Sequence, residues 1–266
     1  MLPVRKRKLL DGHICRINMV GIELEGGWRT LPKGYRDVVH DGSVKFDALR
    51  VEIQNELLRM ERAGTLTPTK QDELLGRVPT YVGELVSKPL KPEEAREWVD
   101  LCYPHMVNDT CGLHVHMSFT SKLYYQRLMT PDFAEKWLIG EIRKWAKAKD
   151  FAPTHPIWER IDNPDHRHCA HKYLGIAQAT MDRKDYNSRG TKHSRYTAVN
   201  YCYAQHGTVE CRVLPMFDTA KEANEAINVV VSATNRYLAK NRKREKSHQI
   251  IVPEMAAKEL FITSQV

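Results

Sequence analysis

The chain has 266 residues, of which 42% are hydrophobic and 28% are charged, and its 41 Lys and Arg outnumber its 33 Asp and Glu. This length fits one large domain, since single cores stop growing at roughly 250–300 residues, and the composition excludes wholesale disorder and fibrous repeats. No apolar run approaches the roughly 20 residues that cross a bilayer, and the N-terminus lacks the apolar stretch of a signal peptide. We therefore expect a cytoplasmic globular protein that has no membrane partner.

The first hundred residues predict two strands and two helices. Residues 20–25 alternate between apolar and polar or glycine positions, which is typical of a half-buried strand. An amphipathic helix follows over 47–63, and a second strand is expected over 81–87. A second helix is predicted over 92–103, because Pro and two Glu mark its first turn and Pro104 follows it.

The middle of the chain contains the clearest strand and the longest irregular stretch. Residues 112–119 alternate throughout, with apolar side chains on one side and Gly, His and Ser on the other. Residues 131–149 have apolar residues at spacings of three and four, which predicts a helix that faces the core. We expect residues 150–192 to form a long excursion with little regular structure, of the kind often used as a lid or binding loop.

The C-terminal part predicts a hairpin and a final helix. The two strands are expected over 195–203 and 208–214, and the four residues between them have hairpin length. Thr219 and Glu222 form the capping box of a helix that continues through Leu238. Strands punctuated by helices and joined by short links favour an α+β fold with a mainly antiparallel sheet.

Three of the predicted strands carry ionisable side chains on the face opposite their apolar residues. These side chains are Glu23 and Glu25, then His114, His116 and Ser118, then Glu210 and Arg212. Each strand alone fits an ordinary sheet with one solvated face. Three carboxylates and two imidazoles on one face, however, indicate a divalent cation, and a carboxylate-rich set favours Mg²⁺ or Mn²⁺.

Five segments, in this order, resemble motifs of the amidoligase family of carboxylate–amine ligases, which belongs to the glutamine synthetase and glutamate–cysteine ligase group. They are residues 21–25 (Gly-Ile-Glu-Leu-Glu), 83–89 (Gly-Glu-Leu-Val-Ser-Lys-Pro), 111–118 (Cys-Gly-Leu-His-Val-His-Met-Ser), 195–200 (Arg-Tyr-Thr-Ala-Val-Asn) and 208–212 (Thr-Val-Glu-Cys-Arg). The resemblance covers residues 20 to 238. It implies a glutamine-synthetase-like catalytic domain over 20–239, with helices on one face of the sheet and inserts at about 44–80 and 150–192.

The family resemblance also implies a reaction and two metal sites. In that reaction a substrate carboxylate attacks the γ-phosphate of ATP to form an acyl phosphate, which an amine converts to an amide. By resemblance to glutamine synthetase, one Mg²⁺ or Mn²⁺ that bridges the ATP phosphates would be held by Glu23, His114 and Glu210. Glu25 and Glu84 would hold a second metal nearer the acyl acceptor, which makes Glu84 a candidate catalytic residue.

Further roles follow from the same resemblance. His116 and Ser118 would lie on the nucleotide side, and Asn200 would shape the site. Arg195 would lie near the phosphates, and Arg212 would contact the transferred phosphoryl group. The substrates would be small-molecule or peptide carboxylates and amines. Asp41, followed by Gly and Ser, resembles a short Asp-x-Ser motif of the family, but this segment equally fits a surface turn.

Two alternatives to the ligase remain open from the sequence. One is a metal-dependent hydrolase that uses His114, His116 and Glu210. The other is a non-enzymatic nucleic-acid-binding protein, since the basic runs in segments 1–19 and 240–266 together account for the net charge of +8.

The cysteines predict no disulfide framework. Six are scattered along the chain without a CxxC pair, and we expect them to be reduced and mostly buried. The densest group of potential ligands is His166, His168, Cys169 and His171. A polar loop is favoured there over a zinc site, because structural zinc sites usually pair ligands from two distant segments.

Overall fold

A five-stranded antiparallel sheet organises the part of the chain that the structure describes. The structure is a computed structural model and describes residues 16–130, 132–167, 169–171 and 197–240. The strands are β1 (Ile17–Trp28), β2 (Tyr81–Val86), β3 (Gly112–Phe119), β4 (Val199–Cys202) and β5 (Thr208–Pro215). Their order across the sheet is β2-β1-β3-β5-β4, and every neighbouring pair is antiparallel. The predicted α+β class and the antiparallel sheet are therefore confirmed.

Helices of very different lengths connect and cover these strands. They are α1 (Asp47–Arg62), α2 (Pro68–Leu75), α3 (Ala95–Cys102), α4 (Lys122–Leu128), a π-helical segment (Asp132–Leu138), α5 (Ile139–Ala148), α6 (Pro156–Asp162), α7 (Tyr203–His206) and α8 (Ala220–Lys240). In the described part of the chain, no helix is long and apolar enough to span a membrane.

The apolar face of the sheet and the buried sides of the helices form one hydrophobic core. Ile22 and Leu24 of β1 lie in this core with Leu113 and Val115 of β3, and all four are inaccessible to solvent. Because side chains alternate along a strand, the residues between them point to the opposite face. The period-two pattern of β1 and β3 therefore decides which side chains reach the polar face.

Helix α8 is the main support of this core. Its N-terminus is capped as predicted, because the Glu222 backbone N–H donates to the Thr219 hydroxyl at 3.2 Å. Along its length it packs against α3, α5, the π-helical segment and β3. Buried apolar residues at intervals of three and four, among them Ala223, Ile227 and Val230, explain why it can lie across the sheet.

Two expectations about local structure need correction. Residues 131–149 do not form one regular helix, since a π-helical segment precedes α5. The 150–192 stretch contains a regular helix, α6, which begins with Pro156, while residues 172–192 lie outside the described residues. The predicted hairpin is confirmed, since β4 and β5 pair antiparallel across a short link. This link is the single helical turn α7, closed by Gly207 in the left-handed region at φ 63°.

The cysteine expectation is confirmed for the described residues. Five cysteines are free and buried: Cys102, Cys111, Cys169, Cys202 and Cys211. Cys15 lies outside the described residues, as do both basic runs apart from Lys240.

Candidate metal centre

The polar face of the sheet is buried, so it is not the solvated face that each strand alone would suggest. Glu25, His114 and Glu210 are each only 3% exposed, and Arg212 is 9% exposed. Burying ionisable groups is costly unless they are paired or bind a cation. These side chains therefore form an enclosed polar centre on the sheet.

Three strands build the first group of potential ligands, which we call the first cluster. It comprises Glu23, His114 and Glu210, and one potential ligand atom from each lies within 4.8 Å of the other two. The register places Glu23 directly opposite His114, and their Oε2 and Nδ1 atoms are 2.8 Å apart. His114 Nδ1 is also 3.6 Å from Glu210 Oε1. The first cluster therefore brings together Glu23, His114 and Glu210, the three residues that the family resemblance assigns to one metal.

Neighbouring side chains hold both carboxylates of this cluster. The second oxygen of Glu23 contacts His116 Nε2 at 2.9 Å. Asn200 Nδ2 donates to Glu210 Oε2 at 2.6 Å, and Arg212 donates to Glu210 Oε1 at 2.5 Å. A charged donor on one oxygen and an amide donor on the other fix the orientation of the Glu210 carboxylate.

The same contacts set the ionisation of the first cluster. Burial opposes ionisation of Glu23, but the charges and hydrogen bonds of His116 and His114 outweigh it and hold the pKa of Glu23 well below its usual value. Burial likewise opposes ionisation of Glu210, whose pKa is nevertheless lowered by Arg212 and His116. The pKa of His116 is raised well above its usual value, because Glu23 and Glu210 outweigh the effect of burial. Without a bound cation, protonated His116 therefore neutralises part of the carboxylate charge.

The second cluster comprises Glu25, Asp41 and Glu84, whose ligand atoms also lie within 4.8 Å of one another. Glu25 stands opposite Glu84 in the β1–β2 register. Asp41 lies beside these two residues because Val39 pairs with Glu84 through two backbone hydrogen bonds, both of 2.9 Å. Gly83 permits this close approach, since a Cβ there would lie only 2.2 Å from the Val39 carbonyl oxygen.

Repulsion among carboxylates characterises the second cluster. Burial, followed by the charges of Glu23, Asp41 and Glu25, raises the pKa of Glu84 to about 8. The pKa of Glu25 is raised too, chiefly by burial. The pKa of Asp41 is lowered despite burial, because the backbone and side chain of Ser43 hydrogen-bond to it. A cluster in which two of the three carboxyls resist ionisation is suited to a cation.

His114 and the start of β3 connect the two clusters. His114 Nε2 is 3.6 Å from Glu25 Oε1, and the Gly112 N–H donates to Glu25 Oε2 at 2.5 Å. Behind this contact, the buried Arg160 of α6 donates to the carbonyl oxygens of Cys111 and Leu214, both at 3.1 Å. Arg160 thereby ties α6 to the ends of β3 and β5, where Glu25 is held.

The donor atoms fit hard divalent cations. Among the described residues, five carboxylates and the guanidinium of Arg212 line the two clusters, and the carboxylate oxygens dominate both sets. Mg²⁺ and Mn²⁺ prefer such oxygens, with an occasional imidazole. Their charge would also offset the excess negative charge that raises the pKa of Glu84.

The structure places most of the predicted site residues together. The two clusters and their immediate contacts contain Glu23, Glu25, Glu84, His114, His116, Asn200, Glu210 and Arg212. Ser118 lies apart, where its hydroxyl exchanges hydrogen bonds with the backbone of Met19 at 3.1 and 3.3 Å. Arg195 lies outside the described residues.

Sequence reasoning left Asp41 undecided and missed several supporting residues. Asp41 fits both the surface turn and the family motif. It accepts a hydrogen bond from the Ser43 N–H at 2.7 Å within a turn, and it also completes the second cluster. Thr208, which contacts His116, and Arg160, in the irregular stretch, were not singled out. The alternation of β5 places Thr208 on the same face as Glu210 and could have indicated its role, whereas no pattern marks Arg160.

The histidine-rich segment does not form a metal cluster in its described part. Cys169 Sγ contacts His166 Nδ1 at 3.2 Å, but His171 Nε2 contacts the Arg160 carbonyl oxygen at 3.2 Å instead. His168 lies outside the described residues.

Comparison of the chain with protein-family models, with curated proteins and with solved structures found no match.

Proposed function

We propose that the protein is an ATP-dependent carboxylate–amine ligase that forms an amide through an acyl phosphate. The observation that carries the proposal is the pair of carboxylate clusters side by side on one buried sheet face, linked by His114. Phosphoryl transfer between two anions depends on cations that screen both reactants and on accurate positioning. Two adjacent sites for hard cations meet both requirements.

The proposed reaction has two balanced steps. A carboxylate oxygen of the substrate attacks the γ-phosphorus of ATP, and the bond from this phosphorus to the bridging oxygen breaks, which yields an acyl phosphate and ADP. An amine nitrogen then attacks the acyl carbon, phosphate leaves, and the amine loses a proton. Bound Mg²⁺ or Mn²⁺ would screen the phosphates and polarise the oxygens that react.

Each part of the site has a proposed task. Glu23, His114 and Glu210 would hold the cation on the phosphate side, and Glu25, Glu84 and Asp41 would hold the one nearer the acyl acceptor. Arg212 is the proposed contact of the transferred phosphoryl group. Its charge acts to lower the pKa of each carboxyl in the second cluster, although burial and neighbouring carboxylates still raise the pKa of Glu25 and Glu84, and it lowers the pKa of Glu210. This reach supports a position that serves both clusters.

The remaining proposed roles concern the nucleotide. His116 and Asn200 are the proposed supports of its binding, because they orient the two carboxylates of the first cluster. Arg195 and Ser118 keep the roles that the family resemblance implies. The substrates are proposed to be a small-molecule or peptide carboxylate and amine.

A thermal-shift experiment tests cation and nucleotide binding. ATP with Mn²⁺ should raise the melting temperature of the wild type, and Glu23→Gln should abolish this rise because it removes a charged ligand of the first cluster. Glu135→Gln, an exposed residue of the π-helical segment, is the matched control and should respond like the wild type. An equal rise in Glu23→Gln and the wild type would contradict the proposal.

A second experiment tests the chemistry. Purified protein and ATP are added to a cell extract, and mass spectrometry compares the products with those formed by Glu23→Gln. The ligase should give a new amide together with ADP and phosphate, and Glu23→Gln should not. Tightly bound Zn²⁺ without any nucleotide response would instead favour the metal-dependent hydrolase.

A further inference from the structure

A third group of ligand-type side chains lies beside the first cluster. We call it the thiol cluster, and it comprises His116, Cys202 and Glu210, with one potential ligand atom from each within 4.8 Å of the other two. The three residues come from β3, β4 and β5, where His116 stands opposite Glu210 and Cys202 opposite Thr208. Cys202 follows Asn200 by two residues, so its side chain points to the same polar face.

The distances within the thiol cluster suit a small tetrahedral ion. His116 Nε2 is 3.7 Å from Glu210 Oε1. Two ligand atoms about 2.0–2.2 Å from a tetrahedral ion are themselves about 3.3–3.6 Å apart. The Thr208 hydroxyl lies between His116 and Cys202, at 3.1 Å from His116 Nδ1 and 3.2 Å from Cys202 Sγ. The three potential ligand atoms therefore already lie within 4.8 Å of one another before any ion binds.

We propose that the thiol cluster binds a borderline divalent cation of the Zn²⁺ class, and that this cation competes with the one in the first cluster. Thiolate and imidazole select such ions, whereas Mg²⁺ prefers oxygen ligands. On binding, the Cys202 thiol and the protonated His116 imidazole would each lose a proton to solvent, and a water molecule would complete the tetrahedron. Competition arises because Glu210 belongs to both clusters and its two oxygens are already held by Asn200 and Arg212.

Cobalt absorption tests the site directly, without ATP. Co²⁺ is added to the full-length, EDTA-treated wild type, to Cys202→Ala and to the control Cys211→Ala, which removes a fully buried thiol one residue beyond Glu210. Circular dichroism and melting curves establish that both variants fold. Sulfur-to-cobalt charge-transfer absorption should appear in the wild type and in the control but not in Cys202→Ala. Its persistence in Cys202→Ala, or its absence from the wild type, would overturn the proposal.

Displacement of Mn²⁺ tests the competition. Release of bound Mn²⁺ by added Zn²⁺ is followed by electron paramagnetic resonance in the same three proteins. Losing the thiolate should raise the Zn²⁺ concentration for half displacement more than about tenfold in Cys202→Ala, and the control should match the wild type. An unchanged concentration would mean that Zn²⁺ acts on the first cluster directly. Because neither experiment contains ATP, failure of the ligase proposal and failure of this one are distinguishable.

Discussion

Replacing Glu84 with Gln should stabilise the cation-free protein at high pH and change it little at low pH. Burial and the charges of Glu23, Asp41 and Glu25 raise the pKa of Glu84 from its usual 4.5 to about 8. As the pH rises, the folded protein therefore keeps the proton on the Glu84 carboxyl at pH values where the unfolded chain has already lost it. The contribution of Glu84 to stability is full below pH 4.5, falls as the pH rises towards 8, and is a constant penalty above pH 8.

The expected size of the effect follows from this difference in pKa. At about 1.4 kcal/mol per pH unit, the change from 4.5 to about 8 sets an upper limit of about 5 kcal/mol. Glu84 is partly exposed, and water reduces the effective penalty to about 2 kcal/mol. In a domain of this size, a penalty of about 2 kcal/mol corresponds to a melting temperature about 4–8 °C lower.

The assay compares melting curves of EDTA-treated wild type and Glu84→Gln at pH 5 and pH 9. The variant should melt about 4–8 °C above the wild type at pH 9, while the two should differ by no more than about 2 °C at pH 5. Glu135→Gln should follow the wild type at both pH values. Adding Mn²⁺ should reverse the order at pH 9, because the ionised Glu84 then becomes a ligand. Equal differences at pH 5 and pH 9 would refute the reasoning.

Two other substitutions test the geometry of the site. A Cβ on Gly112 would lie 2.9 Å from His114 Nε2, whereas one on Gly21 would meet its nearest neighbour at 3.4 Å. Gly112→Ala should therefore weaken Mn²⁺ binding, measured by calorimetry, more than about tenfold while Gly21→Ala changes it much less; equal losses would contradict this geometry. Arg212→Met should lower the free energy of unfolding of the cation-free protein by about 3 kcal/mol in urea, because it removes the buried guanidinium that pairs with Glu210 Oε1. Unchanged stability would show that Asn200 suffices.

The strands were the part of the fold most accessible to sequence analysis. Strand β3 begins and ends where its alternation predicts, at Gly112 and Phe119. Strand β1 extends three residues beyond the predicted end, to Trp28. The prediction stopped too early because two glycines interrupt the alternation there. Those glycines are required by packing, since a Cβ on Gly26 or Gly27 would lie 2.5 or 2.7 Å from a proline. Such tertiary contact leaves no periodic pattern in the sequence.

The candidate site likewise has a part that strand alternation predicted and a part that depends on contacts between distant segments. Alternation along β1, β3 and β5 predicted which side chains share a face, and the structure places them there. Membership of Asp41 in the second cluster depends on the pairing of Val39 with Glu84, which links segments far apart in the chain. Arg160 reaches the site only because α6 packs on β5, and nothing in its own segment indicates that contact. Local patterns give the face of each strand, whereas pairing between distant segments completes the site.

The sign of the charge at the site bears on how ATP would bind. The chain as a whole is positive, yet its two clusters contain five carboxylates, against which the described residues place the guanidinium of Arg212 and the imidazole of His116 within hydrogen-bonding distance. At an effective dielectric constant of about 20, each pair of like charges 4 Å apart costs about 4 kcal/mol. A polyphosphate entering the cation-free centre would meet the carboxylates that are ionised, and protonated His116 and Arg212, which are already paired with Glu23 and Glu210, would offset part of this repulsion. Under the proposed function, divalent cations would therefore bind before ATP or together with it, which would make nucleotide binding conditional on metal.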